Sequence, residues 1–214
     1  MPATTSGLWS PNDVYRRIAS GTWNASDDFA AGDGIVLMKP TSIVATGAGS
    51  SATISQTGSV TFASCATLSL NGVFNTDYDN YMMVMRMTSA SSDTNINLRL
   101  RVGGTDNSTA SSYTRQALAA DGTSVTGIRA SSDSATPFTA AFTTQREGSS
   151  AFFYGPFLAQ PTAMRQVSAL AFGSAYIYDT AHTHNQSTSY DGFTLLGQTS
   201  AFTGLISIYG LEGT

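Results

Sequence analysis

The chain has 214 residues, of which 41% are hydrophobic and 10% aromatic, enough for one sizeable domain plus an extension or for two small domains. Only 11% are charged, against about 25% in an ordinary soluble domain, and the formal net charge is −4. That balance argues against a phosphate-neutralising face and so against nucleic acid as a partner; a single cysteine, Cys65, leaves no intramolecular disulfide and no multi-cysteine metal centre.

The opening MPATTSGLWS has neither the basic nor the hydrophobic region of a signal peptide, and no apolar run reaches the length of a membrane span. A chain made in a cytoplasm and not inserted in a membrane is expected. Residues 1–45 read as an anchoring segment around one short helix. In LWSPNDVYRRIASG, Ser10 is placed to cap, Pro11 suits the first helical position, and Asp13 completes a capping-box-like spacing. Val14 and Ile18 share one face and Gly21 stops the run, with Trp9 and Trp23 on either side. So short a helix is unstable alone, so Trp9, Val14, Ile18 and Trp23 are the expected anchoring residues. After it, GIVLMKPTSIVAT predicts a brief strand broken at Pro40.

Residues 46–58, TGAGSSATISQTG, carry too little apolar surface to fold by themselves and read as a linker or loosely held arm. From residue 59 to 214 the sequence predicts strands punctuated by Ser, Asn, Asp and Gly. In TNINLRLRV, Ile96, Leu98, Leu100 and Val102 alternate with Asn95, Asn97, Arg99 and Arg101, a period of two with no helical reading. In YMMVMRMT, Tyr81, Met83, Met85 and Met87 form one face and Met82, Val84, Arg86 and Thr88 the other. The two segments read as neighbouring antiparallel strands joined at SASSD, with Arg86, Arg99 and Arg101 on one face. Further strands are expected in VTFASCATLSL, PFTAAFTT, SAFFYGPFLA, RQVSALAF, SAYIYD, DGFTLLG and GLISIYG. The fold expected is all-β, an antiparallel β-sandwich or jelly roll with a short helix-containing N-terminal arm.

Chemistry has few footholds. Asp77 and Asp79 in NTDYDNY lack the glycine and distal glutamate of a calcium loop and read as turn residues. Glu147 and Glu212 are the only glutamates, there is no Gly-x-Ser-x-Gly elbow, and Cys65 lies in an apolar stretch rather than beside a histidine. No catalytic residue, cofactor or enzymatic activity is expected. Tyr113, Phe152, Phe153, Tyr154, Tyr176, Tyr178 and Tyr190 could stack on sugars, but strand aromatics are mostly core or interface residues, and none is singled out as a receptor site.

In order along the chain, SLNGVFNTDYDNYMMVM, NLRLRVGGTDNSTASSY, FFYGPFLA, SYDGFTLLG and LISIYG resemble a module of tailed-bacteriophage virion proteins. The opening GLWSPNDVYRRIASGTW resembles the Trp-bracketed leader of tail-fibre-like proteins from the same group. The resemblance implies a virion component, commonly a homotrimer, held by its N-terminus to other virion proteins. The first reading is a tail-fibre or baseplate-associated protein displaying a β-sandwich for host adsorption, with a host surface glycan as a further partner. The alternatives are a capsid decoration or head-fibre protein and, from another class, a free carbohydrate-binding module; a depolymerase is the third. Some fibres of that group bind iron through His-x-His pairs, which makes His182 and His184 in AHTHNQ the only metal candidates. With one copy of the pair, the expectation is no metal and an exposed polar loop.

Overall fold

The computed structural model describes residues 34–121, 123–143, 147–172 and 174–211. The predicted helix and its bracketing tryptophans lie outside them. Within them the protein is all-β, and every strand pairing is antiparallel.

The strands form two sheets. The larger follows the order β10 (Ser124–Asp133), β9 (Tyr113–Asp121), β14 (Ser174–His184), β13 (Thr162–Phe172), β12 (Glu147–Tyr154), β6 (Asn80–Ser89), β16 (Phe202–Leu211), β4 (Val60–Cys65) and β3 (Ser51–Ile54). β1 (Ile35–Met38) lies beside β16, next to β4. The smaller runs β11 (Thr136–Ala141), β7 (Thr94–Val102), β15 (Gly192–Gly197), β5 (Thr67–Asn71) and β2 (Ser42–Thr46), with β8 (Thr105–Asp106) against the end of β7.

The alternation in the sequence explains how the sheets meet. Tyr81, Met83, Met85 and Met87 of β6 are buried, as are Ile96, Leu98 and Leu100 of β7. These residues join one core cluster with Phe62, Phe153, Ile206 and Ile208 of the larger sheet and Leu68, Leu70, Phe193 and Leu195 of the smaller. Phe153 stacks on Phe193 with centroids 5.7 Å apart, which ties the layers together across the gap. Cys65 is fully buried; its thiol donates weakly to the Ala63 carbonyl, and burial raises its pKa, as expected of a small core residue.

Three expectations need correction. β6 and β7 are not neighbours: SASSD carries the chain from one sheet to the other, so the two strands face each other across the core. Arg86 therefore sits exposed on the outer side of the larger sheet, while Arg99 and Arg101 belong to the smaller. Val102, expected to point inward, is 42% exposed at the end of its strand. Residues 46–58 contain β3, which pairs with β4, and residues 35–46 supply β1 and β2, so the sandwich begins well before residue 59. Ala52 and Ile54 pack against the core, enough for a short strand that β4 already templates.

The crossings between sheets are tight. β4 passes into β5 through Ala66 alone, with Ser64 at φ 51°. Ala66 N donates to Thr46 O at 2.6 Å, and its carbonyl accepts Gly197 N at 2.9 Å. Gly47, at φ +123°, passes so close that a Cβ there would lie 2.8 Å from Ala66 N.

Candidate functional site

The two histidines are where the structure departs most from the sequence reading. They lie in β14, not in a loop, and are 1% and 0% exposed. Successive side chains alternate, so both face the sandwich interior while Ala181 and Thr183 face outward. Thr136 Oγ1 lies 2.7 Å from His182 Nδ1, and the Phe138 ring is 5.3 Å from the imidazole centroid. Burial, helped by the charge of Arg115, pushes the His182 pKa down to about 3. Burial also takes His184 down to about 4, partly opposed by a hydrogen bond with the Ser112 backbone. Both rings are neutral at physiological pH and enclosed by their own chain. Among the described residues no group of three or more His, Cys, Asp or Glu side chains is placed to hold a metal ion.

What His184 does instead is visible in its contacts. Its ring lies 4.1 Å from that of Tyr113, and Nε2 is 2.6 Å from the Tyr190 hydroxyl. Asn107 Nδ2 donates to the same hydroxyl at 2.7 Å, so that hydroxyl is free to give its own proton to the neutral ring. Asn107 Oδ1 accepts Thr109 N at 3.0 Å, and the Tyr113 hydroxyl donates to Asn107 O at 2.9 Å. A buried chain His184–Tyr190–Asn107 thus fixes the loop that follows β8.

The segment just before that loop, Gly104–Asp106, is held by Arg101, 6% exposed although it lies on the outer face of its sheet. Arg101 donates to Thr194 Oγ1 at 2.8 Å and to the Gly104 carbonyl, and its guanidinium lies 3.4 Å from Asp106 Oδ1. Thr194 Oγ1 gives its proton to Asp106 Oδ1 at 2.5 Å, which leaves Ser69 as the donor in the 2.9 Å Ser69–Thr194 bond. Held at Gly104, Asp106 and Asn107, this stretch borders an open recess of about 440 Å³ lined by Val102, Thr105, Asp106, Asn107, Ser108, Thr109 and Thr188. Its walls carry hydroxyls, one amide and one carboxylate beside the methyl groups of Val102 and the threonines.

Of the other sequence candidates, Asp77 sits in a turn, its amide donating to Asn75 Oδ1 at 3.0 Å. Tyr113, Phe153 and Tyr190 are core residues. Phe152 and Tyr154 stack at 6.4 Å on the outer face of the larger sheet, and the Tyr178 hydroxyl accepts Arg115 NH1 at 2.9 Å. Trp9, Val14, Ile18 and Trp23, the expected anchoring residues, lie outside the described residues. The recess was not singled out in the sequence; its one signal there is Gly103–Gly104 followed by Asp106–Asn107, which reads simply as a turn.

Fold and site together define an all-antiparallel β-sandwich with an open surface recess of mixed polar and apolar lining. Set against known proteins, the chain matches no family model, no curated protein and no solved structure.

Proposed function

We propose that this chain is a non-enzymatic structural component of a tailed-bacteriophage virion, a tail-fibre or baseplate-associated protein that associates with other copies of itself. Its N-terminal segment, with Trp9, Val14, Ile18 and Trp23 and the helix expected there from the sequence, is the part that docks on other virion proteins. The sandwich is the part displayed for host adsorption.

The observation that carries the reading is the outer face of the larger sheet. Val84, Leu118, Val125, Val167, Ile177 and Leu205 are all 37–70% exposed there, relieved by few charges. A free monomer gains nothing from so apolar a face, whereas an assembly component covers it. The ordered sequence resemblance and the low overall charge support the same reading.

Immunogold labelling of intact phage particles tests it: label on the tail is the expected result, label on the head moves the protein to capsid decoration, and unlabelled particles sink the proposal. Deleting residues 1–33, which spares every described strand, is expected to leave a folded domain that no longer enters particles. A second reading, glycan binding without catalysis, is favoured by the Asp106–Asn107 recess. Glycan-array signal lost in Asp106→Ala, with an unchanged melt, supports it; no signal from the wild type removes it.

A further inference from the structure

The larger sheet has one edge unlike all the others. An edge strand turns the N–H and C=O of every second residue outward, and proteins blunt such edges with short strands, proline, lysine or bulges. Every other edge here is treated in that way. β1 and β3 have four residues each, β2 has five, and the six-residue β11 carries Pro137 and a register shift beside it. β10 has ten residues and pairs only with β9 among the described strands. It has no proline and no lysine, and its sole irregularity comes after Ala130, where the register shifts and Ser132 takes φ 67°. Ser124–Ala130 is therefore a regular template about 23 Å long whose sole charged residue is Arg129.

We infer that the β10 edge is where a second copy of this chain pairs, strand to strand, across a twofold axis at Gly127. The chemistry of an open edge asks for an extended strand, and an antiparallel pair made from one strand and its copy is self-complementary. Arg129 selects the register. Centred on Gly127, Val125 lies opposite Arg129 of the other copy and each guanidinium stem covers a valine. A register centred on Arg129 would set the two charges face to face, which is unfavourable. Gly127 suits the centre, since a Cβ there would meet nothing within 4 Å and its absence lets two backbones approach.

Apolar exposure concentrates at this edge. Val125 is 70% exposed, the largest value for a big hydrophobic side chain among the described residues. Ala120 and Ile177 continue its cross-strand row, and Leu118 lies beside Gly127. Pairing at the edge covers Val125 and satisfies about six backbone groups on each copy. The result is a twofold pair rather than the homotrimer that the sequence resemblance implies. The inference builds on the self-association in the proposed function and not on a virion location, so unlabelled particles leave it standing.

The test is light scattering across a concentration series of the full chain, wild type against Gly127→Pro and Val125→Lys. The N–H of residue 127 points away from β9 in this edge, so proline there leaves the β9–β10 hairpin bonded. Twice the monomer mass is expected for the wild type, with the dissociation constant raised at least tenfold in both variants and melting unchanged. Gly127→Cys is expected to oxidise to a covalent pair, because hydrogen-bonded antiparallel partners have Cα atoms about 5.5 Å apart, within disulfide reach. A wild type that is monomeric at every concentration, a strict trimer, or assemblies indifferent to both edge variants would each overturn the inference. Folding of the variants is read independently from their melts; should Gly127→Pro unfold, Val125→Lys and the disulfide decide.

Discussion

Beneath β6, β16 and β4 the space between the sheets is filled by Tyr81, Met83, Met85, Phe62, Ile206 and Ile208, closed from the other side by leucines and Phe193. Beneath β12, β13 and β14, beyond Ala151, Phe153 and Met164 which belong to the apolar cluster, the same gap is lined by Ser149, Gln166, Ser168, Thr180, His182 and His184, with Thr136 and Thr139 opposite. The strand geometry is the same in both regions, but the source of cohesion differs. In the first, non-directional burial does the holding, at roughly 25 cal/mol per Å² of apolar surface. In the second, partners must be met one by one. Gln166 Nε2 donates to Ser149 Oγ at 2.7 Å and also to Ser168 Oγ, which lies 3.2 Å from Thr139 Oγ1. Gln166 Oε1, Thr180 Oγ1 and His182 Nε2 find no hydrogen-bond partner among the described residues. A polar interior satisfied only in part is less stable than a dry one, so the two regions should answer perturbation differently.

The largest effect is expected in the apolar region. Leu98→Asp puts a carboxylate at a fully buried position with no counter-charge and should abolish cooperative unfolding. A wild-type melting temperature for that variant would refute the packing described. Phe153→Ala removes a ring that touches Phe74, Phe138 and Phe193, and a loss of about 3–5 kcal/mol is expected by urea titration.

Acid should act on the polar region. Both histidine pKa values are lowered on folding, so the unfolded chain binds protons first. Their contribution is intact above pH 6.5 and is lost as pH falls toward about 4 and about 3. One pH unit below 6.5, the two together should cost about 2–3 kcal/mol. Urea midpoints measured at pH 7 and 5.5 check this, and an equally steep acid response in the His182→Gln, His184→Gln double variant would assign the sensitivity elsewhere. Thr180→Val replaces an unpartnered buried hydroxyl by a methyl group and should stabilise by about 1 kcal/mol; a destabilised protein would mean that the hydroxyl is satisfied. Smallest of all is Arg165→Ala. The Arg165–Asp179 pair is close, at 2.7 Å, and the arginine holds the Asp179 pKa below its ordinary value. The Arg165 side chain is nevertheless mostly exposed, and no measurable change in melting is expected.

The same contrast explains what could be read from the residues alone. Where the inward positions are apolar, as in Tyr81–Met87 and Ile96–Leu100, alternation marks both the strand and its buried face. Alternation cannot say which sheet a strand joins. A polar five-residue connection can close a hairpin or cross the core equally well, and SASSD does the second. In β14 the inward positions are Thr180, His182 and His184, while outward Ile177 is apolar, so hydropathy points the wrong way and AHTHNQ looks like a solvated loop. The recess escaped notice for a related reason: its two clamps join residues far apart in the chain, Arg101 to Thr194 and Asn107 to Tyr190.

β16 lies inside the larger sheet, with β6 on one side and β4 and β1 on the other. Its partners are all synthesised far earlier, so the methionine strip of β6 has no neighbour on that flank until residues 202–211 emerge from the ribosome. Nascent chains should therefore accumulate as sticky, protease-sensitive species that rely on chaperones, then commit in one late step. Slowing translation upstream of codon 202 should lower the yield of native protein without altering the finished fold.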